Sequence, residues 1–187
     1  MPNIEALPES AISDPQILAA IRRTELAGAP GVWFIRLVAR APEHGKAVLQ
    51  MLEVVNEQGS LPRRLKLLVR FILARLTDDA YFGDGLRTQL SETENVSAEF
   101  LEKLLGDYEE TSRIDEQERI ALRFAVLAFV DKSQIDDAFY DSLHKHFTEK
   151  QIIELVTLVS LNYAVHLIMS TLAPPADCRP TDSPNRD

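Results

Sequence analysis

The residues of this chain that could do chemistry fall in two places. The first is an acidic turn in the stretch DDAYFGD, with Asp78, Asp79 and Asp84. Neighbouring carboxylates raise one another's pKa, so one can hold a proton while another stays ionised. That arrangement suits general acid and base work on an enolisable substrate. The same residues equally suit a solvated turn in which an Asp caps the next helix. Tyr81 offers a phenol that could donate to a developing oxyanion, or simply a buried ring with a satisfied hydroxyl. The second place is the apolar segment from Ile152 to Ala173. There Asn162, His166 and Ser170 recur at i, i+4 and i+8, with Glu154 on the same line two steps earlier. An unpaired buried polar group costs roughly 1–3 kcal/mol, so such a seam needs partners. They belong either to a pocket, with His166 as a proton carrier near neutral pH, or to an internal network or subunit interface.

The elements that must position these groups read as helices throughout. Asp14-Pro15 opens a helix from Gln16 to about Leu26, which Gly28 and Pro30 stop. A short apolar helix, Gly31 to Ala41, carries the only tryptophan, Trp33, and Pro42 starts another through about Val55 with Val48, Leu49, Met51, Leu52 and Val55 as its buried stripe. Leu61, Leu65, Leu68, Ile72 and Leu76 then mark an amphipathic helix, with Arg63, Arg64, Lys66, Arg70 and Arg75 expected mostly on its remaining surface. A helix from Gly85 to Leu90 follows the acidic turn. Ser91 with Glu94 and Ser97 read as helix starts before a helix from Ala98 to Leu105. Asp115 with Glu118 opens a helix through about Val130, Ile135 to Phe147 forms the next, and Thr148 with Gln151 caps the last. The expectation is an all-α fold of about eight helices. Residues 1–13 form a flexible arm, residues 14–173 one domain, and the polar residues 174–187 a disordered tail.

The wording L-P-x-R-L-x-x-L-V from Leu61, then A-R-L-T from Ala74, then Ala80-Tyr81, resembles the core of the alkylhydroperoxidase D / carboxymuconolactone decarboxylase family. The preceding order, a short apolar helix, Ala41-Pro42-Glu43, then a helix running into Leu61-Pro62, resembles its larger members, and the likeness spans roughly residues 14–173. The family's redox members carry a C-x-x-C pair and a nearby His after A-R-L-T, with a Glu in the preceding helix. Here the cysteine positions hold Asp79 and Phe82, the His position Leu86 and the Glu position Leu67. The resemblance implies the alkylhydroperoxidase D-like helical scaffold without its redox dithiol, and assembly as a dimer, trimer or hexamer. It also favours a polar residue of the last helix facing the site.

Composition narrows the function further. A net charge of −9 disfavours nonspecific nucleic-acid binding and docking on anionic membranes. One cysteine, Cys178, cannot form a dithiol redox centre, so peroxide reduction is not expected. No basic start followed by an apolar run marks a secretory signal, and the Ile152–Ala173 segment, interrupted by Glu154, Asn162 and His166, reads as a core helix rather than a membrane span. A cytoplasmic protein is expected. His144 and His146 lie two apart, wrong for chelation on one helix face, and His44 sits in an exposed first turn; neither a metal nor any other cofactor is expected. The leading expectation is a cofactor-free decarboxylase, isomerase or cyclase acting on a small organic acid. Asp79 or His166 is its base, Tyr81 its oxyanion donor, and Asn162, Asp78, Phe82 and Trp33 contact the substrate. The alternative is a silent or regulatory subunit, or a small-molecule binding module, of the same fold.

Overall fold

A computed structural model describes residues 4–107 and 112–172. Nine helices follow one another among the described residues, with no strand: α1 (Pro15–Leu26), α2 (Val32–Val38), α3 (Pro42–Glu57), α4 (Arg63–Leu76), α5 (Ala80–Glu94), α6 (Ala98–Asp107), α7 (Glu116–Val130), α8 (Asp137–His146) and α9 (Glu149–Leu172). Their starts follow the expected cap chemistry. The Asp14 carboxylate accepts from the amides of Gln16 and Ile17 ahead of Pro15. Asp115 and Glu118 form a reciprocal capping box at α7, and Thr148 with Gln151 does the same before α9.

Two expectations fail around α5. The acidic stretch is not an open turn, because α5 begins at Ala80; only Asp78, left-handed at φ 51°, and Asp79, the N-cap, lie outside helix. Ser91 with Glu94 starts nothing and forms the last turn of α5, which Asn95 ends at φ 52°. Leu86 and Leu90, wholly buried, carry the helix through these residues, so packing overrides the local preference of Ser for a cap.

The central element is α4, which packs on α5, α7 and α9. Every residue from Leu65 to Ala74 is buried, including Lys66 and Arg70. The expected cationic surface of this helix therefore holds for Arg63, Arg64 and Arg75 but not for these two. Enclosure on all sides leaves α4 no solvent face along its middle turns. A second, smaller core lies apart from the main one, built by Ile12, Ile17, Ala20, Ile21, Ile35 and Ala39 from the N-terminal segment, α1 and α2. The segment expected as a flexible arm is docked here: the Leu7 amide donates to the Arg36 carbonyl, and Ile12 is buried. In α3 the buried stripe is shallower than expected, with Met51 half-exposed. The tail from residue 174 lies outside the described residues.

Helix α9 is long and apolar enough to cross a membrane by length and composition. Eight of its residues, among them Leu155, Leu158, Val165 and Met169, are nevertheless buried in the domain. The polar seam of α9 divides. Asn162 and His166 are buried, whereas Ser170 is exposed and bonds the carbonyl of Leu167 in its own helix. Glu154 serves the loop before α4, its carboxylate accepting from the amides of Ser60 (2.8 Å) and Leu61 (3.0 Å) and from the Ser60 hydroxyl. Gly59, at φ 99°, makes that approach possible, since a Cβ there would stand 2.7 Å from Glu154 Oε2.

Burial opposes ionisation of Glu154, but the hydrogen bonds from Ser60 and Leu61 prevail and hold its carboxyl below the usual carboxylate range. A carboxylate with a depressed folded-state pKa contributes stability above its unfolded value, and loses it as pH falls through the folded one. Thermal unfolding of Glu154→Gln against the parent should show a deficit at pH 7 that shrinks below about pH 4. Gly59→Ala should destabilise by more than about 1 kcal/mol in urea unfolding at pH 7.

Candidate functional site

The start of α5 and the middle of α9 meet through one buried pair. His166 Nδ1 lies 3.0 Å from Asp79 Oδ2, with both side chains 4% exposed. A carboxylate only accepts, so Nδ1 carries the proton and donates, which leaves Nε2 as the acceptor of the ring. Asp79 is fixed from its other side. Its Oδ1 accepts from the Phe82 amide (3.2 Å), and its own amide donates to the Ala74 carbonyl (2.8 Å) at the end of α4. The positive end of α5 favours the ionised carboxylate at this cap. The Phe82 ring then meets the His166 ring edge-on, centroids 5.6 Å apart.

Beside this pair lies a cavity of about 560 Å³ between the two hydrophobic cores. Its walls come from α1, α2 and α3 on one side, and from Arg70 of α4, Phe82 of α5 and Asn162 and Val165 of α9 on the other. Phe34, Ile35, Leu49 and Leu52 make much of the surface apolar. Asn162 Nδ2 donates to Asn56 Oδ1 (2.9 Å) and to the Leu158 carbonyl, tying α9 to the end of α3 within the lining.

The structure thus brings some expected residues together and disperses others. Asp79 and His166 form a pair, but neither lines the cavity; Phe82 is in the wall with His166 against its ring. Phe82 and Asn162 do line it. Tyr81 is turned to α2, its hydroxyl oxygen accepting from the amides of Gly31 (3.2 Å) and Trp33 (3.0 Å). It anchors the first turn of that helix and is not part of the cavity wall. Trp33 is buried against Tyr81, also away from the lining, and Asp78 is exposed in its left-handed turn. The positions where the resembling family has Glu and His are core leucines here, Leu67 and Leu86. Among the described residues no group of three His, Cys, Asp or Glu could hold a metal.

Sequence reasoning missed Arg70. This residue is 6% exposed and lines the cavity, and its Nε, shielded from solvent, has no hydrogen-bond partner among the described residues. Burial pulls its guanidinium down to about 10, partly opposed by Glu57 and reinforced by Arg63, so it remains a cation at neutral pH. The available signal was position. Lys66 and Arg70 are four apart on one line of α4, interleaved with Leu65, Leu67, Leu68, Val69 and Phe71. A helix so rich in apolar residues on every side must take some of its cations inside.

No protein-family model and no curated protein matches the sequence. Solved structures do. An uncharacterised peroxidase-related protein from Ralstonia eutropha JMP134, described as an alkylhydroperoxidase AhpD core, superposes with a TM-score of 0.74 over 97% of this chain and 93% of its own, at 16% identity. The chain has the alkylhydroperoxidase D-like fold. The debrominase Bmp8, solved as a cysteine-to-alanine variant in complex with 2,3,4-tribromopyrrole, has the same AhpD-like arrangement, with a TM-score of 0.76 over 90% of this chain and 88% of its own, at 18% identity. A further peroxidase-related protein, from Silicibacter sp. TM1040, superposes with a TM-score of 0.67 over 92% of this chain and 93% of its own, at 16% identity. Within the AhpD-like frame, Asp79 and Phe82 stand at the start of the helix after α4, joined by one hydrogen bond from the Phe82 amide to the Asp79 side chain.

Asp79→Ala removes both a charge-assisted bond to His166 and the cap of α5. It should cost about 3 kcal/mol in urea unfolding, whereas a loss under about 1 kcal/mol would mean that the pair does not tie α5 to α9.

Proposed function

We propose that the protein is a cofactor-free acid–base enzyme that acts on a small organic acid held in the cavity between the two cores. The observation that carries this reading is the Asp79–His166 pair against the cavity wall. Asp79 fixes the tautomer of His166 and stabilises the imidazolium that forms when Nε2 takes a proton, an arrangement that lets an imidazole serve as base and then as acid. A proton removed beside a carbonyl or carboxylate and returned at another carbon is an isomerisation; in a decarboxylation the C–C bond to the carboxylate breaks, carbon dioxide leaves, and the imidazolium protonates the electron pair left on carbon, taking its proton back from water. The turned-away hydroxyl of Tyr81 takes no part, and the lining residues Phe82 and Asn162 border the substrate. The reading requires the Phe82 ring to swing aside so that His166 reaches the cavity.

A second reading, a small-molecule binding module, is favoured by the present position of that ring, which leaves both members of the pair outside the lining. In it the pair is only a tie between α5 and α9. With either reading we retain the expected cytoplasmic homo-oligomer. Support for self-association comes from the outer face of α9, where Ile153, Tyr163 and Leu167 are exposed beside Phe129 and Val130 of α7.

The two readings separate in heavy water, without knowledge of the final product. A panel of 2-oxo, 3-oxo and unsaturated carboxylic acids incubated with the protein should yield at least one acid that incorporates deuterium, read by proton NMR. His166→Gln should slow that exchange by about 10²- to 10⁴-fold, with thermal unfolding confirming that the variant is folded. Exchange by the parent no faster than in buffer, or undiminished exchange by the folded variant, would leave the binding module standing.

A further inference from the structure

We infer that Arg70 is a carboxylate receptor, and that the ligand of this cavity is a monocarboxylate with an apolar body. The inference deepens the reading above, resting on it for the cavity's being the substrate site; the binding itself requires neither Asp79 nor His166.

Three observations converge. The first is an unpaired cation in a lined space: the Arg70 side chain is buried in the cavity wall, its Nε lacks a partner among the described residues, and no carboxylate stands within ion-pair distance of it there. A guanidinium presents a planar fork that matches a carboxylate with two parallel bonds, and it is strongest where water is excluded. The contrast with Lys66, one turn earlier on α4, shows how this fold treats a buried cation that is only structural. Lys66 Nζ donates to the carbonyls of Val55 (3.1 Å) and Gln58 at the end of α3. Arg70 has been given no such partner.

The second observation is charge elsewhere in the cavity. Arg23 is already matched, its Nη2 lying 2.7 Å from Glu53 Oε2, and Glu57 adds a further acid at the wall. Glu57 favours the charge of Arg70 through space, and Arg70 is the one cation of the lining, among the described residues, with neither a hydrogen-bonded nor an ion-paired partner. A single carboxylate on the ligand satisfies Arg70, whereas a second would meet Glu53 and Glu57 without a partner of its own. The third observation is the remaining surface. Phe34, Leu49, Leu52, Phe82 and Val165 provide apolar contact for the rest of the ligand. Phe82 is also the ring against which His166 packs.

The test is calorimetric titration of the full chain with hexanoate, octanoate, decanoate and 4-phenylbutyrate, each beside the alcohol of the same carbon skeleton and a dicarboxylate of the same chain length. At least one monocarboxylate should bind ten-fold or more tighter than both its alcohol and its dicarboxylate. Arg70→Met should abolish that preference. Unfolding of ligand-free Arg70→Met checks the role separately. Removing a buried charge that no hydrogen bond or ion pair holds should raise Tm by about 2–4 °C, whereas loss of a structural cation would lower it. Equal affinity for acid and alcohol throughout the series, or an Arg70→Met variant that binds the acids as the parent does, overturns the inference. Retained Arg70-dependent binding with no deuterium exchange would instead retire the enzyme reading and keep the receptor.

Discussion

The constraint on which the rest of this structure depends is the complete enclosure of α4. Ten consecutive residues without a solvent face mean that every side of the helix must be covered by another element, and α5, α7 and α9 do so. Because the sequence of this helix contains cations in its middle turns, enclosure also forces two of them inside. One is satisfied by hydrogen bonds to the carbonyls that end α3, the place where a helix is most negative. The other lines the cavity, where apolar side chains and the acids Glu53 and Glu57 meet. The two outcomes, four residues apart on a single helix, divide what α4 does for stability from what it does for chemistry.

Around that helix an AhpD-like frame carries an altered site. The position after α4 that resembles the first residue of a redox centre is an N-cap here, with its side chain at the positive end of a helix. With a carboxylate in that place, the local field favours an anion that needs no oxidant or reductant, and the natural partner is a proton donor. His166 supplies it from α9. Leu67 and Leu86, where the resembling family has Glu and His, are packed in the core here. On the acid–base reading proposed above, proton transfer runs from α5 to α9 rather than along the α4–α5 hairpin.

Much of this was legible in the sequence, and the remainder was hidden for identifiable reasons. Cap residues such as Asp14, Asp115 and Thr148 act through bonds to their own neighbours, so their positions announced three helices directly. The start of α5 did not, because Asp78, Asp79 and Asp84 look alike as letters while only Asp79 has the geometry of a cap. Asn162 and His166 were recognisable as polar groups in an apolar helix. Their partners, Asn56 and Asp79, lie 106 and 87 residues away in the chain, beyond what spacing can report. Tyr81 was recognisable as a phenol near the site, but its direction is set by the amides of Gly31 and Trp33, fifty and forty-eight residues earlier. Arg70 was hidden most thoroughly. A periodic pattern assigns cations to the wet face of a helix, and the middle turns of this helix have no such face.

The cavity is also a joint. On one side stands the small core of Ile12, Ile17, Ile21 and Ile35, and on the other the main core that encloses α4. A molecule seated between them would touch both and add to the coupling that α2 and Leu49 already make between them. Amide protection in α1 and α2 would then report occupancy of the space, even though few of those amides would contact the occupant.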